Sequence, residues 1–203
     1  MALKPETIAK IQQKLQGLSD EEQQEKLQEI VKQLPLEEMK EFQKQNCPFC
    51  SIASGSIESQ VVFEDNLFMA ILDINPANKG HIVLFPKEHR YALFDMTDNE
   101  IGEMFKVANR LSNAVHDGVK SEGTNLFVAI GEAAGQRSGH ILVHIIPRFK
   151  DDGVDLTWDF KRFGKDELKK VADNIKSNLK FEKPKLESEK KKTAKMKERQ
   201  RIA

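Results

Sequence analysis

Between residues 61 and 146 the apolar side chains fall in short runs divided by turns, and one long helical pattern is the only interruption. Val61-Val62-Phe63 and Leu67 to Leu72, with Glu64-Asp65-Asn66 between them, read as a hairpin. Ile82-Val83-Leu84-Phe85 follows Gly80 and stops at Pro86, which gives a third strand. Thr97 and Glu100 form a capping box, after which Ile101, Met104, Phe105, Ala108, Leu111 and Val115 recur at helical spacing. Asn125 to Ile130 and His140 to Ile146 are two more strands, joined by the small-residue loop from Gly131 to Gln136. A parallel, doubly wound sheet would need strand and helix to alternate. Separate blocks of strands and helices predict an α+β fold with an antiparallel sheet and packed helices.

Different textures flank this block. Residues 1–46 read as short amphipathic helices. Pro5 opens a run with Ile8, Ile11 and Leu15 that Gly17 ends. Ser19 and Glu22 cap a second, carrying Leu27, Ile30, Val31 and Leu34, and Pro35 starts a third with Leu36, Met39 and Phe42. Helices this short need a surface to cover, on the main domain or on a partner. Gly164 precedes a last amphipathic helix with Leu168, Val171, Ala172, Ile175 and Leu179. The chain thus divides into a helical extension 1–46, a central domain 47–150, a segment 151–181 and a tail 182–203.

Lysine plus arginine equals aspartate plus glutamate at 32 each, so the whole protein has no general attraction for polyanions. The tail differs, with nine basic against four acidic side chains. A solvated end is the simpler reading, and a nucleic-acid arm from Lys190-Lys191-Lys192 to Arg201 the sharper one. No run approaches the ~18–20 apolar residues of a membrane span, and the first residues form no secretory signal. No membrane partner and a cytoplasmic location are therefore expected.

Cys47-Pro48-Phe49-Cys50 is the only cysteine pair. A zinc half-site, a redox pair and two buried apolar cysteines all fit it, although the βαβ context of a thioredoxin-like pair is missing. Two further zinc ligands would have to come from His81, His89, His116, His140 and His144. On a strand, His140, Leu142, His144 and Ile146 share one face and Ile141, Val143 and Ile145 the other. His140 and His144 would then stand ~13 Å apart, too far to share one ion.

Asp73-Ile74-Asn75-Pro76, Gly80-His81-Ile82-Val83-Leu84, Pro86-Lys87-Glu88-His89, Gly131 to Gln136 and His140 to Arg148 resemble, in order and spacing, the histidine-triad (HIT) superfamily. The resemblance spans roughly Cys47 to Arg148. It implies a HIT-like fold and binding of purine nucleotides, with cleavage or transfer at the α-phosphate. In the family pattern His-x-His-x-His the middle histidine attacks that phosphate and is nucleotidylated. Here the three positions are His140, Leu142 and His144, and a leucine has no lone pair with which to attack.

The resemblance further implies that Asp73 accepts hydrogen bonds from ribose hydroxyls, beside the apolar Ile74, and that Gly135, Gln136 and His144 serve the phosphate. Ala129 and Ile130 stand where asparagines are usual, and Arg137 stands where a serine or threonine usually meets phosphate. The Arg137 guanidinium offers a fork for the same anion. Zinc-bearing relatives imply Cys47, Cys50, His89 and His140 as the ligands of a structural Zn2+. His81 is left as a structural hydrogen-bonding histidine and His116 as a surface residue. Small members of the superfamily imply a homodimer.

Three functions follow from these residues. The first is a zinc-stapled nucleotide-binding protein without the nucleotidyl-histidine step. The second is an active hydrolase or phosphoramidase in which another group, such as His144, takes over. The third is an RNA or ribonucleoprotein interaction module using the basic tail and the N-terminal helices. The sequence favours the first.

Overall fold

Along the chain the elements are α1 (Pro5–Leu15), α2 (Leu36–Gln45), α3 (Pro48–Ala53), β1 (Val61–Glu64), β2 (Phe68–Leu72), β3 (Ile82–Pro86), α4 (Asp98–Val119), β4 (Gly123–Phe127), β5 (Val143–Arg148) and α5 (Lys165–Asn178). They come from a computed structural model that describes residues 5–179, apart from 20, 21, 24, 25, 28, 31 and 32. The five strands form one antiparallel sheet in the order β1-β2-β3-β5-β4. The expected α+β architecture is therefore present.

Alternation along the strands gives the sheet two different faces. Phe68, Ala70, Ile82, Leu84, Val143 and Ile145 face one way and pack with Met104, Ala108, Leu111 and Val115 of α4. That helix starts where the capping box puts it: the Thr97 hydroxyl accepts from the Glu100 N–H, and the Glu100 carboxylate accepts from the Thr97 N–H at 2.7 Å. The other face carries Met69, Ile71, Val83 and Phe85, against which Phe49, Ile52 and Ala53 of α3 pack. The short α3 and Leu142 cover this cluster, and His144 of β5 stands beside it.

Two strands are displaced from their expected spans. β5 begins at Val143 rather than His140, because the preceding amides are used elsewhere: the Ile141 N–H donates to the Arg90 carbonyl at 2.7 Å and the His140 N–H to the Ser138 hydroxyl at 3.1 Å. It continues past Pro147 to Arg148. Beyond Ile145 the strand pairs with β4 alone, so the missing proline N–H interrupts no second ladder. β4 correspondingly opens at Gly123, opposite Arg148, and ends at Phe127 rather than Ile130.

The chain divides into two compact units, Met1–Asp155 and Leu156–Ala203. Within the first, Gly17 follows α1 with a φ of +85°, and the Thr7 hydroxyl of α1 donates to the Glu38 carboxylate of α2 at 2.6 Å. Ile11 and Ile30 are buried, so part of the N-terminal apolar stripe serves packing inside the chain. The second expected helix includes undescribed residues, although Ser19 and Glu22 do pair as a cap at 2.7 Å. In the second unit, α5 exposes Leu168, Val171 and Ile175. The basic stretch 182–203 lies outside the described residues. Among the described residues no helix is long and apolar enough to cross a membrane.

Candidate functional site

The short helix α3 places Cys47 at its N-cap and Cys50 one turn later, so both thiols lie on one side. Opposite them stand His89, from the segment after β3, and His140, from the segment before β5. Cys47 Sγ lies 3.3 Å from His140 Nδ1, Cys50 Sγ 3.3 Å from His89 Nδ1, and Cys50 Sγ 3.8 Å from His140 Nδ1. The four donor atoms all fall within 4.8 Å of one another. A tetrahedral zinc with bonds of about 2.3 Å to sulfur and 2.0–2.1 Å to nitrogen would separate sulfur from nitrogen by about 3.6 Å.

The donor chemistry fits as well as the spacing. His140 Nε2–H donates to the Pro86 carbonyl at 2.9 Å, which leaves the Nδ1 lone pair turned toward the thiols. Burial depresses the His140 imidazole to about 4, and burial followed by the Lys44 charge lowers His89, so both rings are neutral ligands at pH 7. The Cys50 thiol is pushed up to about 12 by burial and by Cys47. A divalent cation among the four would reverse that preference and hold thiolates. Phe49 and Phe85 wall the site, with ring centroids 5.9 and 5.6 Å from His140.

A second cluster, Asp73, His81 and His144, lies farther along the same sheet face. His81 is more than a generic structural histidine. Its Nδ1 accepts the Ala77 N–H at 3.1 Å, so its own proton sits on Nε2 and is aimed at His144 Nδ1, 3.0 Å away. His144 must then carry its proton on Nε2. The Asp73 carboxylate stands 3.7 Å from His81 and 3.8 Å from His144. Burial lowers both imidazoles despite the opposing pull of Asp73. A metal on His81 Nε2 would require a proton on Nδ1, where the Ala77 N–H already points. This trio is built to hold a proton in a fixed place, and only the cysteine-histidine set suits zinc.

His144 lies in register between Val83 and Phe127, and the Phe127 ring centroid is 6.2 Å from its own. Leu142 packs against the cluster of Met69, Ile71, Val83 and Phe85. Ile74 is 90% exposed on the turn after Asp73, whose Oδ1 accepts the Asn75 N–H at 2.8 Å. Gln136 is committed to its own loop and to the Tyr91 backbone. Its Oε1 accepts the Gly131 N–H at 2.7 Å and its Nε2 donates to the Tyr91 and Ser138 carbonyls at 2.8 and 3.0 Å. Gly131 and Gly135 both hold φ near +90°, a conformation that favours glycine, and so shape this loop. Arg137 is exposed, and His116 is an exposed residue of α4 beside Ser121 at 3.4 Å.

The HIT domain profile matches residues 54–151. An uncharacterized HIT-like protein of Borreliella burgdorferi is 38% identical over 142 residues, covering 66% of this chain and 99% of its own. The chain belongs to the HIT family. Its fold agrees: a HIT family protein from Bacillus subtilis superposes with a TM-score of 0.64 at 32% identity, covering 68% of this chain and 99% of that one. A zinc-bound histidine-triad protein from Mycobacterium smegmatis gives a TM-score of 0.53 at 30% identity, over 67% and 99% of the two chains. The adenosine 5'-monophosphoramidase of Schizosaccharomyces pombe is 29% identical over 136 residues, covering 66% of this chain and 99% of its own.

Sequence reasoning missed two features of this HIT site. The His81–His144 hydrogen bond joins residues 63 apart in sequence. The Phe127 ring is set beside His144 by the pairing of β4 with β5, which the apolar pattern of Asn125 to Ile130 does not fix. No local pattern carries either signal, since both arise from strand register.

Proposed function

We propose that this HIT protein binds a purine nucleotide, carries a structural zinc, and lacks the nucleotidyl-histidine step. The observation that carries the reading is Leu142, an apolar side chain at the nucleophile position that packs with the α3 cluster. In this reading Asp73 accepts from ribose hydroxyls, Ile74 offers apolar surface to the base, and the His144 Nε2–H donates to a phosphate oxygen. The Gly135 turn, fixed by Gln136, presents backbone to the same anion, and Arg137 adds a guanidinium. Cys47, Cys50, His89 and His140 would hold Zn2+, which supplies a closed staple between α3 and the segments flanking β3 and β5.

The fixed tautomer argues against an active enzyme that uses His144 instead. A nucleophile or base needs a lone pair, and His144 Nδ1 spends its own on His81. Its position two residues along from Leu142, nearly ~7 Å, also exceeds a near-attack distance of ~3–3.5 Å. The outer edge of β4, with Leu126 and Phe127 exposed, is a sheet edge suited to a homodimer. A cytoplasmic location and an added nucleic-acid affinity of the basic tail complete the proposal. The direct test is Leu142→His. Gain of adenosine phosphoramidate hydrolysis supports the reading, and equal turnover by the unaltered protein would overturn it.

A further inference from the structure

Just beyond the residues matched by the HIT domain profile, Asp152 is almost fully enclosed, its side chain only 5% exposed. It gathers an unusual number of donors. Oδ2 accepts from Arg148 Nε at 2.7 Å, from the Phe149 N–H at 3.0 Å and from Asn78 Nδ2 at 2.8 Å. Oδ1 accepts from Arg148 Nη2 at 2.9 Å and from the Val154 N–H at 3.0 Å. Arg148, the amides of Phe149 and Val154, and Asn78 hold the carboxyl well below the usual carboxylate range, so it is a permanent anion. Asn78 is the one of these donors that belongs to a distant part of the chain, 74 residues away.

Asn78 sits in the turn that carries the candidate site. Its amide also donates to the Pro147 carbonyl at 2.9 Å, so two acceptors at the end of β5 grip one side chain. Its own carbonyl accepts the His81 N–H at 3.0 Å, and the His81 carbonyl accepts the Asp73 N–H at 3.0 Å. The same turn supplies the Ala77 N–H that fixes the His81 ring. Gly80, within it, is pressed against Val119 so closely that a Cβ would lie 2.7 Å from Cγ1, and its φ is +91°. The turn is thus seated on α4 at one point and tied to β5 at another.

We propose that Asp152 is a positioning residue of the nucleotide site. Through Asn78 it holds the 73–81 turn on the end of β5, and so sets Asp73 opposite His144 and keeps the His144 proton on Nε2. The inference rests on the proposed nucleotide binding for its affinity readout but not for its tautomer readout. Asn78→Ala removes the tie and leaves the Arg148–Asp152 pair intact, so it is the primary variant. Asp152→Asn is the second, and the double variant closes the cycle. Side-chain nitrogen NMR of 15N-histidine protein reports the His144 tautomer, and titration with a fluorescent AMP analogue reports affinity.

The expected result is a mixed His144 tautomer in Asn78→Ala, with nucleotide affinity weakened about ten-fold, the scale of one charge-assisted hydrogen bond. The zinc content should stay unchanged, and the two substitutions should be less than additive. Unchanged His144 signals in Asn78→Ala, together with wild-type affinity, overturn the proposal. If the unaltered protein binds no AMP analogue, the nucleotide reading fails by itself, and the His144 signals alone decide the role of Asp152.

Discussion

Removing the proposed zinc should loosen this protein without dismantling it. The core under α4, from Phe68 to Val115 and Ile145, contains none of the four ligands. The ligands instead tie α3 to Pro86–His89 and Ser138–His140. With free zinc a thousandfold above its dissociation constant, mass action contributes about 4 kcal/mol. At 2–4 °C per kcal/mol for a chain of roughly this length, loss of the ion should lower Tm by ~8–16 °C. The assay is differential scanning fluorimetry of protein purified without chelator, before and after treatment with a strong chelator, with elemental analysis in parallel. One zinc per chain and a reversible fall in Tm are expected, and Cys50→Ser should show the lower Tm from the start. Protein with no zinc, or a Tm indifferent to the chelator, refutes the metal site.

Acidification of the chelated protein should cost stability in a defined window. An unfolded histidine binds its proton near pH ~6.5, while folded His140 resists until about 4. Stability is therefore full above the higher value and declines as pH falls toward the lower, by about 3 kcal/mol if the whole shift is realised. Urea midpoints between pH 7 and 4 measure it, with a smaller slope expected in His140→Asn. Leu142→Ala, which removes a partly buried side chain under α3, should cost about 1–2 kcal/mol and speed zinc loss to chelator; an unchanged urea midpoint would show that Leu142 does not secure the helix. Deleting 182–203 should remove a salt-sensitive, sequence-independent affinity for RNA at low salt, and equal binding by the full and shortened chains would reduce that segment to a solvated end.

The parts of the fold visible in the sequence are those written in local patterns. The Thr97–Glu100 box sets the start of α4, and period-two alternation assigns Ile141, Val143 and Ile145 to the core face. Strand ends were less legible because an amide's partner decides them. Ile141 donates to Arg90, 51 positions earlier, and no periodicity announces that choice. At the site, residue types and spacing marked the cysteines and histidines, and the HIT resemblance sorted them into sets. What each ring nitrogen does came only from three-dimensional partners: the Pro86 carbonyl for His140, and the Ala77 N–H for His81. Gln136 gives the opposite lesson, since its amide is spent on shaping the loop.

The central claim is that Leu142 removes the covalent step while the surroundings of a nucleotide site remain. Incubating the protein with adenosine phosphoramidate labelled in the α-phosphate, then quenching and testing for acid-labile label on histidine, examines it most directly. The account predicts no label above background in the unaltered chain and label in Leu142→His. Acid-labile label on the unaltered protein, abolished by His144→Ala, would contradict it and make this chain an active nucleotidyl enzyme.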